Sequence, residues 1–307
     1  MSKQWTSEEI DFLKEHYKTM TYKQLSQNLN RTKAAIDLKI NRLGLKKDKY
    51  SYNHNYFECI DSEDKAYWLG FIFADGSVFK GKNNSCELSI KLQGRDIDHL
   101  KKFNKCINGN NEIVTFRRQC NLNGKLYDGC QIRLYSQKIV DDLSVFGIMP
   151  NKSLIIEMPN NINEQYIRHF IRGIFDGDGC ITKNRRSNGL THNNYVKCDF
   201  TSGSIVFLEQ LRTKLFEYDI KSYIVNNHDN IWKLVIGGME NCDKFLHFIY
   251  DDATVYLDRK LDKKQELYEE LQIEQRLLRQ TEKFGFTNLS EKENGNPEME
   301  IRVEGCV

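Results

Sequence analysis

Apolar and polar positions follow three patterns in turn along the chain. Over residues 5–45 they recur at helical spacing. Trp5, Ile10, Leu13 and Tyr17 stand behind Thr6 or Ser7 with Glu9, a capping-box arrangement that predicts the first helix. Thr21 is the expected cap of a second helix holding Leu25 and Leu29. Asn30-Arg31-Thr32 opens a third, with Ala35, Ile36, Ile40 and Leu43 inward and Gly44 as its stop. From Asp61 the pattern changes. An apolar helix, capped by Ser62 or Asp64, precedes segments of period two: Leu88, Ile90 and Leu92 alternate with Glu87, Ser89, Lys91 and Gln93, and Ile132 and Leu134 alternate with Gln131, Arg133 and Tyr135. Helices are expected over 96–107 and 137–146, so the order is helix, two strands, helix, two strands, helix. The second half repeats it. Strands 181–183 and 196–201, joined by the basic loop Asn184-Arg185-Arg186-Ser187-Asn188-Gly189, precede a helix over 204–216, strands 223–227 and 232–236, and a helix over 242–250. Residues 258–283 read as a charged closing helix with Leu261, Leu267, Leu271, Leu277 and Leu278 as a partial stripe, and the tail from Thr287 has too little apolar surface to fold alone.

The first helix of each half carries a repeated motif. Ala66-Tyr67-Trp68-Leu69-Gly70-Phe71-Ile72-Phe73-Ala74-Asp75-Gly76 returns as Phe170-Ile171-Arg172-Gly173-Ile174-Phe175-Asp176-Gly177-Asp178-Gly179. Small residues recur at i and i+4, Gly70 with Ala74 and Gly173 with Gly177, which aligns them on one helical face. Helices with Gly or Ala along a seam approach more closely than the usual ~8–10 Å. If the two copies pack together, Asp75 and Asp178 meet at the negative ends of two helix dipoles, an arrangement that calls for a cation. Oxygen ligands there suit a hard divalent ion such as Mg2+, which keeps most of its waters and takes one or two carboxylates plus substrate phosphate.

These two stretches resemble the paired signature helices of a LAGLIDADG homing endonuclease in its single-chain, two-repeat form. The resemblance implies an α+β fold in which two pseudo-twofold related αββαββα repeats form a saddle. It implies that Asp75 and Asp178 bind the catalytic metal, Mg2+ with Mn2+ as a substitute, and that Asp176, matched by Phe73 in the first copy, does not. Arg172 stands where a small residue is common. A basic residue after the last helix of each half helps to position the attacking water in this family, and Lys152 and Lys260 occupy those places. Gln93 and Thr201 hold loosely matching strand ends that could order water. The implied reaction is metal-dependent hydrolysis of phosphodiester bonds, once per strand of duplex DNA, by a monomer. The N-terminal helices resemble the helix-turn-helix of Myb-like and sigma-factor-like modules, whose third helix enters the major groove.

Composition refines this picture. The 307 residues are 39% apolar with 11% aromatics, enough for a real core, and contain no run of 18 apolar residues and no signal peptide, so a soluble cytoplasmic protein of a bacterial or phage-infected cell is expected, an organelle remaining open. Nine scattered cysteines without a Cys-x-x-Cys pair read as reduced thiols. The net charge of +2 hides an asymmetry: residues 1–50 carry 11 Lys/Arg against 6 Asp/Glu, while 258–307 carry 9 against 12. The front of the chain is the basic part. Candidate DNA contacts there are Arg31, Lys33, Lys39 and Asn41, with a basic linker from Lys46 through Asn55 able to lie along phosphates. On the polar sheet faces the candidates are Lys80, Lys82, Lys91, Arg117, Arg118, Arg133, Arg185, Arg186, Lys197 and Lys233. Expected boundaries are 1–47 for the helix-turn-helix, 48–60 for the linker, 61–160 and 161–262 for the repeats, 263–286 for a closing helix and 287–307 for the tail. Met1, and a His54-Asn55 pair followed by Tyr56, argue against an intein origin. Two other readings use the same fold: a regulator that binds DNA without cutting, and a maturase whose partner is intron RNA.

Overall fold

The computed structural model describes residues 4–17, 20, 22–45, 50–81, 85–119, 124–187, 192–228 and 231–269, with side chains of 184–187 and 192–195 excepted. Contacts divide the chain into two units, Met1–Leu257 and Asp258–Val307.

Three short helices open the first unit: α1 (Ser7–His16), α2 (Tyr22–Leu29) and α3 (Lys33–Arg42). Thr6 and Glu9 form the expected reciprocal cap, each side chain bonding the other's amide, at 3.2 and 3.0 Å. Thr32 caps α3, and Gly44 takes the left-handed conformation (φ +66°) that stops it. Leu13, Leu25, Leu29, Ile36 and Ile40 close a core of their own. Thr21 and Lys46–Lys49 lie outside the described residues. The segment that follows is no free linker. Asn53 N–H donates to Ile107 O (2.7 Å), Tyr52 Oη to Tyr135 O (2.8 Å), Ser51 N–H to Asn110 Oδ1 (2.7 Å), and His54 Nδ1 meets Ser136 Oγ (2.8 Å). The Tyr52 and His54 side chains are spent on the protein rather than held out for phosphates.

The remainder of this unit consists of two repeats. The first runs α4 (Glu63–Asp75), β1 (Gly76–Lys80), β2 (Cys86–Gln93), α5 (Ile97–Cys106), β3 (Val114–Gln119), β4 (Leu126–Leu134) and α6 (Gln137–Val145). The second runs α7 (Glu164–Asp178), β5 (Gly179–Ser187), β6 (His192–Ser202), α8 (Ile205–Glu217), β7 (Tyr223–His228), β8 (Ile231–Gly237) and α9 (Met239–Tyr250). Each gives one antiparallel four-stranded sheet, β1-β2-β4-β3 and β5-β6-β8-β7. The expected basic loop after Lys183 is instead strand as far as Ser187, paired with His192. Residues 258–269 of the second unit are helical, with Lys260 and Leu267 buried; the rest of the expected closing helix and the tail lie outside the described residues. Among the described residues no helix is long and apolar enough to cross a membrane.

Backbone contact between α4 and α7 joins the repeats. A Cβ on Gly70 would stand 2.0 Å from Phe170 O, one on Gly173 2.1 Å from Tyr67 O, and one on Gly177 2.6 Å from Ala74 Cβ. The small-residue stripes are therefore a seam with no room for side chains. Arg172 does not break it: its guanidinium lies over the Tyr67 ring at 5.3 Å and reaches Glu63 at the start of α4. Gly76 and Gly179 follow the helix ends in extended, not left-handed, geometry (φ −78° and −80°). Glycine is required there for space: the chain passes straight from helix to strand, and a Cβ would lie 2.6 Å from Ile72 O in one copy and 2.5 Å from Phe175 O in the other.

Register makes the repeats comparable position by position. Gly76 pairs with Ile90, which pairs with Ile132; Gly179 pairs with Phe200, which pairs with Leu234. Ser89 and Gln131 are thus the counterparts of Asp199 and Lys233, Arg133 of Val235, and Lys91 of Thr201. Gln93, expected to match Thr201, does not.

Candidate active site and nucleic-acid interface

Asp75 and Asp178 are the last helical residues of α4 and α7, and the seam brings them together. The Asp75 carboxylate oxygen lies 3.2 Å from where a Gly177 Cβ would stand, one residue before Asp178. Asp75 is half-buried and Asp178 exposed. Both sheets start at the next residue, so the two strand systems spread from this pair of acids.

Lys152 belongs to the same place. Asn151 in left-handed conformation (φ 60°) starts a 3-10 turn, Lys152–Leu154, that buries the lysine and brings Nζ within 3.4 Å of Ala74 O. Burial pulls its pKa down, against the opposing pull of Asp178 and then Asp75. The turn crosses to the second repeat: a Cβ on Gly203 would meet Leu154 Cδ2 at 2.7 Å and Ser153 O at 3.0 Å. A pocket of about 330 Å³ results, with Asp178, Lys152, Thr201, Ser202 and Phe73 in its wall. Lys152 follows the first repeat in sequence yet lines the pocket of the second acid. Lys260 is buried and lies in the helix 258–269 of the other unit, in a setting unlike the 3-10 turn of Lys152.

The two acids are the oxygen donors that could hold a metal here. Among the described residues no group of three or more His, Cys, Asp or Glu is placed to hold one. Two carboxylates beside solvent and a cationic side chain fit a hard ion completed by water and phosphate, and do not fit a closed cage of protein ligands.

Asp176, two residues before Asp178, has a different role. It is fully buried and accepts from Tyr250 Oη (2.5 Å), Tyr67 Oη (2.7 Å) and Leu257 N–H (2.7 Å), tying α7 to α4, to α9 and to the irregular segment after α9. Next to it Arg172, also fully buried, donates to Val255 O, Ile249 O, His169 Nδ1 and Glu63 Oε1 at 2.7–2.9 Å. These partners explain an arginine at a motif position where a small residue is common.

The sheet faces sort the basic candidates. Leu88, Ile90, Cys130, Ile132 and Leu134 point to the helices, and strand alternation assigns the rest. Lys91, Arg118 and Arg133 share the polar face of the first sheet, and Lys197 and Lys233 that of the second. Two candidates fall on the wrong face. Lys80 pairs with Cys86, whose side chain is in the core, and its ammonium meets Asp141 of α6 at 2.9 Å. Arg117 pairs with Asp128 in the row of Cys130 and is held by it at 2.7 Å. Lys82 lies outside the described residues, and of Arg185 and Arg186 only the backbone is described.

On the N-terminal helices, Lys33 and Asn41 are exposed and Lys39 half-buried. Arg31 is committed internally: its guanidinium stacks 4.4 Å from the Trp5 ring, donates to Gln4 O, and grips Glu9 at 2.7 and 3.2 Å. The groove beside it is lined by Ala35, Leu38, Lys39 and Arg42 of α3, at helical spacing. The sequence reading missed Leu38 and Arg42, although their i and i+4 positions were the available signal.

The fold is a single chain of two αββαββα repeats, each opened by the paired motif. Residues 165–250, nearly the whole second repeat, match the family model described as a LAGLIDADG-like domain. Over 137 residues, 42% of this chain, the sequence is 31% identical to the DNA-directed RNA polymerase subunit Rpo1C of Methanocaldococcus jannaschii, and that match spans 14% of the subunit's length. Among solved structures the chain is similar to the LAGLIDADG meganuclease I-AabMI bound to uncleaved DNA (13% identity, TM-score 0.46, 63% of this chain and 85% of that one). It is similar also to the homing endonuclease I-WcaI bound to its DNA recognition sequence (16% identity, TM-score 0.47, 64% and 85%).

Proposed function

We propose that this chain is a site-specific endonuclease that hydrolyses both strands of a DNA duplex with a divalent metal, Mg2+ in the cell and Mn2+ as a substitute. The observation that carries the reading is the convergence of Asp75 and Asp178 at the closed end of the α4–α7 seam, with Lys152 buried beside them and a polar sheet face spreading from each acid.

Phosphodiester hydrolysis needs a water lined up behind the phosphorus, charge compensation, and stabilisation of the leaving oxygen. Asp75 and Asp178 would hold the metal, which would supply charge compensation at the phosphate and a water of lowered pKa. Lys152, fixed by its 3-10 turn, presents an ammonium to the pocket of Asp178, where it attracts the phosphate and orients water. Lys260 takes the corresponding task for the other strand by its place in the sequence. Lys91, Arg118, Arg133, Lys197 and Lys233 lie on the faces that receive the duplex, and α3 adds contacts through Lys33, Lys39, Asn41 and Arg42. The internal duplication provides both acids, so the chain acts as a monomer.

The test is cleavage of a randomised duplex library with Mg2+ and with EDTA, comparing wild type with Asp75→Asn and Asp178→Asn. Metal-dependent double-strand cutting that either substitution abolishes while binding survives is the expected result. Tight, sequence-selective binding without cutting in any metal would overturn the enzyme and leave a regulator.

A further inference from the structure

At one cross-strand position of the polar faces the two repeats carry opposite chemistry. In the first sheet Gln131 Nε2 donates to Ser89 Oγ at 2.6 Å, both buried, and Gln131 Oε1 accepts from Arg133 Nη2 at 3.2 Å. Glu87 stands 3.5 Å from Arg133 Nε. The guanidinium is thus held from two sides while its side chain is 50% exposed. In the second sheet the counterparts of Ser89 and Gln131 are Asp199 and Lys233, 3.5 Å apart, with Lys197 on the other carboxylate oxygen at 3.4 Å; the counterpart of Arg133 is Val235, 4% exposed.

Resting on the proposed DNA endonuclease, we propose that Arg133 reads a guanine in the major groove of one half of the target, positioned by Glu87 and the Ser89–Gln131 pair, and that the other half lacks this contact. A surface arginine ordinarily gives up rotamer freedom to hold one direction. Here Gln131 and Glu87, with Tyr135 beside them, already restrict that freedom, one N–H being hydrogen-bonded to Gln131, and the planar fork matches the paired O6 and N7 acceptors of guanine. The position favours a base over a phosphate. Arg133 lies on β4, an inner strand, and the β3 side chain nearest to it on the same face is Val114, opposite Gln131 and diagonal to Arg133, 50% exposed. Apolar groups gain nothing beside a phosphate but do pack on base edges and thymine methyls. In the second half Val235 offers no donor, and Lys197 and Lys233, tied to one buried carboxylate, present point charges instead of a fork.

The experiment is selection of binding sites by the full chain from a randomised duplex library in EDTA, with wild type, Arg133→Met and Glu87→Gln. The expected consensus holds a G·C pair in one half that Arg133→Met loses while the remaining positions persist, and Glu87→Gln lowers the preference for G over A at that position without changing the salt dependence. Replacing that guanine with 7-deazaguanine, which lacks the N7 acceptor, weakens wild-type binding roughly tenfold and leaves Arg133→Met unaffected. If Arg133→Met binds every sequence more weakly by one factor and its salt slope falls by about one, Arg133 holds a phosphate and the inference is overturned. Recovery of no preferred duplex by wild type would instead overturn the endonuclease reading, and this inference with it.

Discussion

A Cβ on Gly173 would stand 2.1 Å from the carbonyl oxygen of Tyr67, closer than any real contact between such atoms. The α4–α7 seam is built on this exclusion, and the two acids depend on the seam. Gly173→Ala must push two helix backbones apart, so an overpacking penalty of about 3 kcal/mol or more is expected, read as a lower urea midpoint. Gly177→Ala meets softer neighbours, Ala74 Cβ at 2.6 Å and the Asp75 carboxylate at 3.2 Å. It should cost less stability and more activity, because the atom displaced is a proposed ligand. Equal losses of both in both variants would show that the seam tolerates separation.

Asp75→Asn and Asp178→Asn give opposite signs for stability and function. Each carboxylate sits at the negative end of a helix beside a second acid, so without metal its removal should leave the protein unchanged or more stable by about 0.3–1 kcal/mol. Cleavage should fall at least ~1,000-fold. Thermal unfolding in EDTA beside single-turnover cleavage in Mg2+ separates the two, and a large drop in Tm for either variant would mean that the acids are structural.

Much of this site was legible because its determinants are local. Small residues at i and i+4 and Asp-Gly at two helix ends are read directly from the chain, and both the seam and the paired acids followed. Alternation in β2 and β4 likewise identified a core face and a polar face. What failed was the assignment of charges, since a lysine's partner depends on register and on distant helices. Lys80 and Arg117 were counted with the polar face, although Lys80 continues the inward row of Val78 and could have been excluded by parity; Asp141 and Asp128 now hold them. Arg31 looked like a groove contact until Glu9 and Trp5, over twenty residues away, closed on it. Nor did spacing reveal that the turn at Lys152 crosses to the second repeat.

Lys152 should show a trade of stability for function. Burial disfavours its ammonium by more than Asp178 and Asp75 return, which is the meaning of its lowered pKa. Lys152→Met keeps the packed stem and removes the charge. Its Tm in EDTA is expected at or above that of wild type, while cleavage falls ~100-fold or more and Lys152→Arg, too large for the turn, does not restore it. An unstable Lys152→Met would assign the residue to the fold.

The Glu63–Arg172–His169 cluster makes stability depend on pH. Burial would raise the Glu63 carboxyl, but the Thr254 amide, Arg172 and His169 hold it below the usual carboxylate range. His169 is pushed down to about 4, by burial first and then by Arg172, with Glu63 opposing and Arg168 adding to the shift. Its Nδ1 accepts from Arg172 at 2.8 Å, which a protonated ring cannot do. A histidine of depressed pKa binds fewer protons folded than unfolded between about 4 and 6.5, so stability is greatest above 6.5 and declines as pH falls through that window. The urea midpoint of wild type should therefore drop between pH 7 and pH 5, and His169→Gln, which can still accept from Arg172, should flatten the drop. Arg172→Leu, by contrast, strands Glu63 in a half-buried site and opens two carbonyls, and should cost roughly 3–5 kcal/mol at pH 7. A His169→Gln profile parallel to that of wild type would place the titrating group elsewhere.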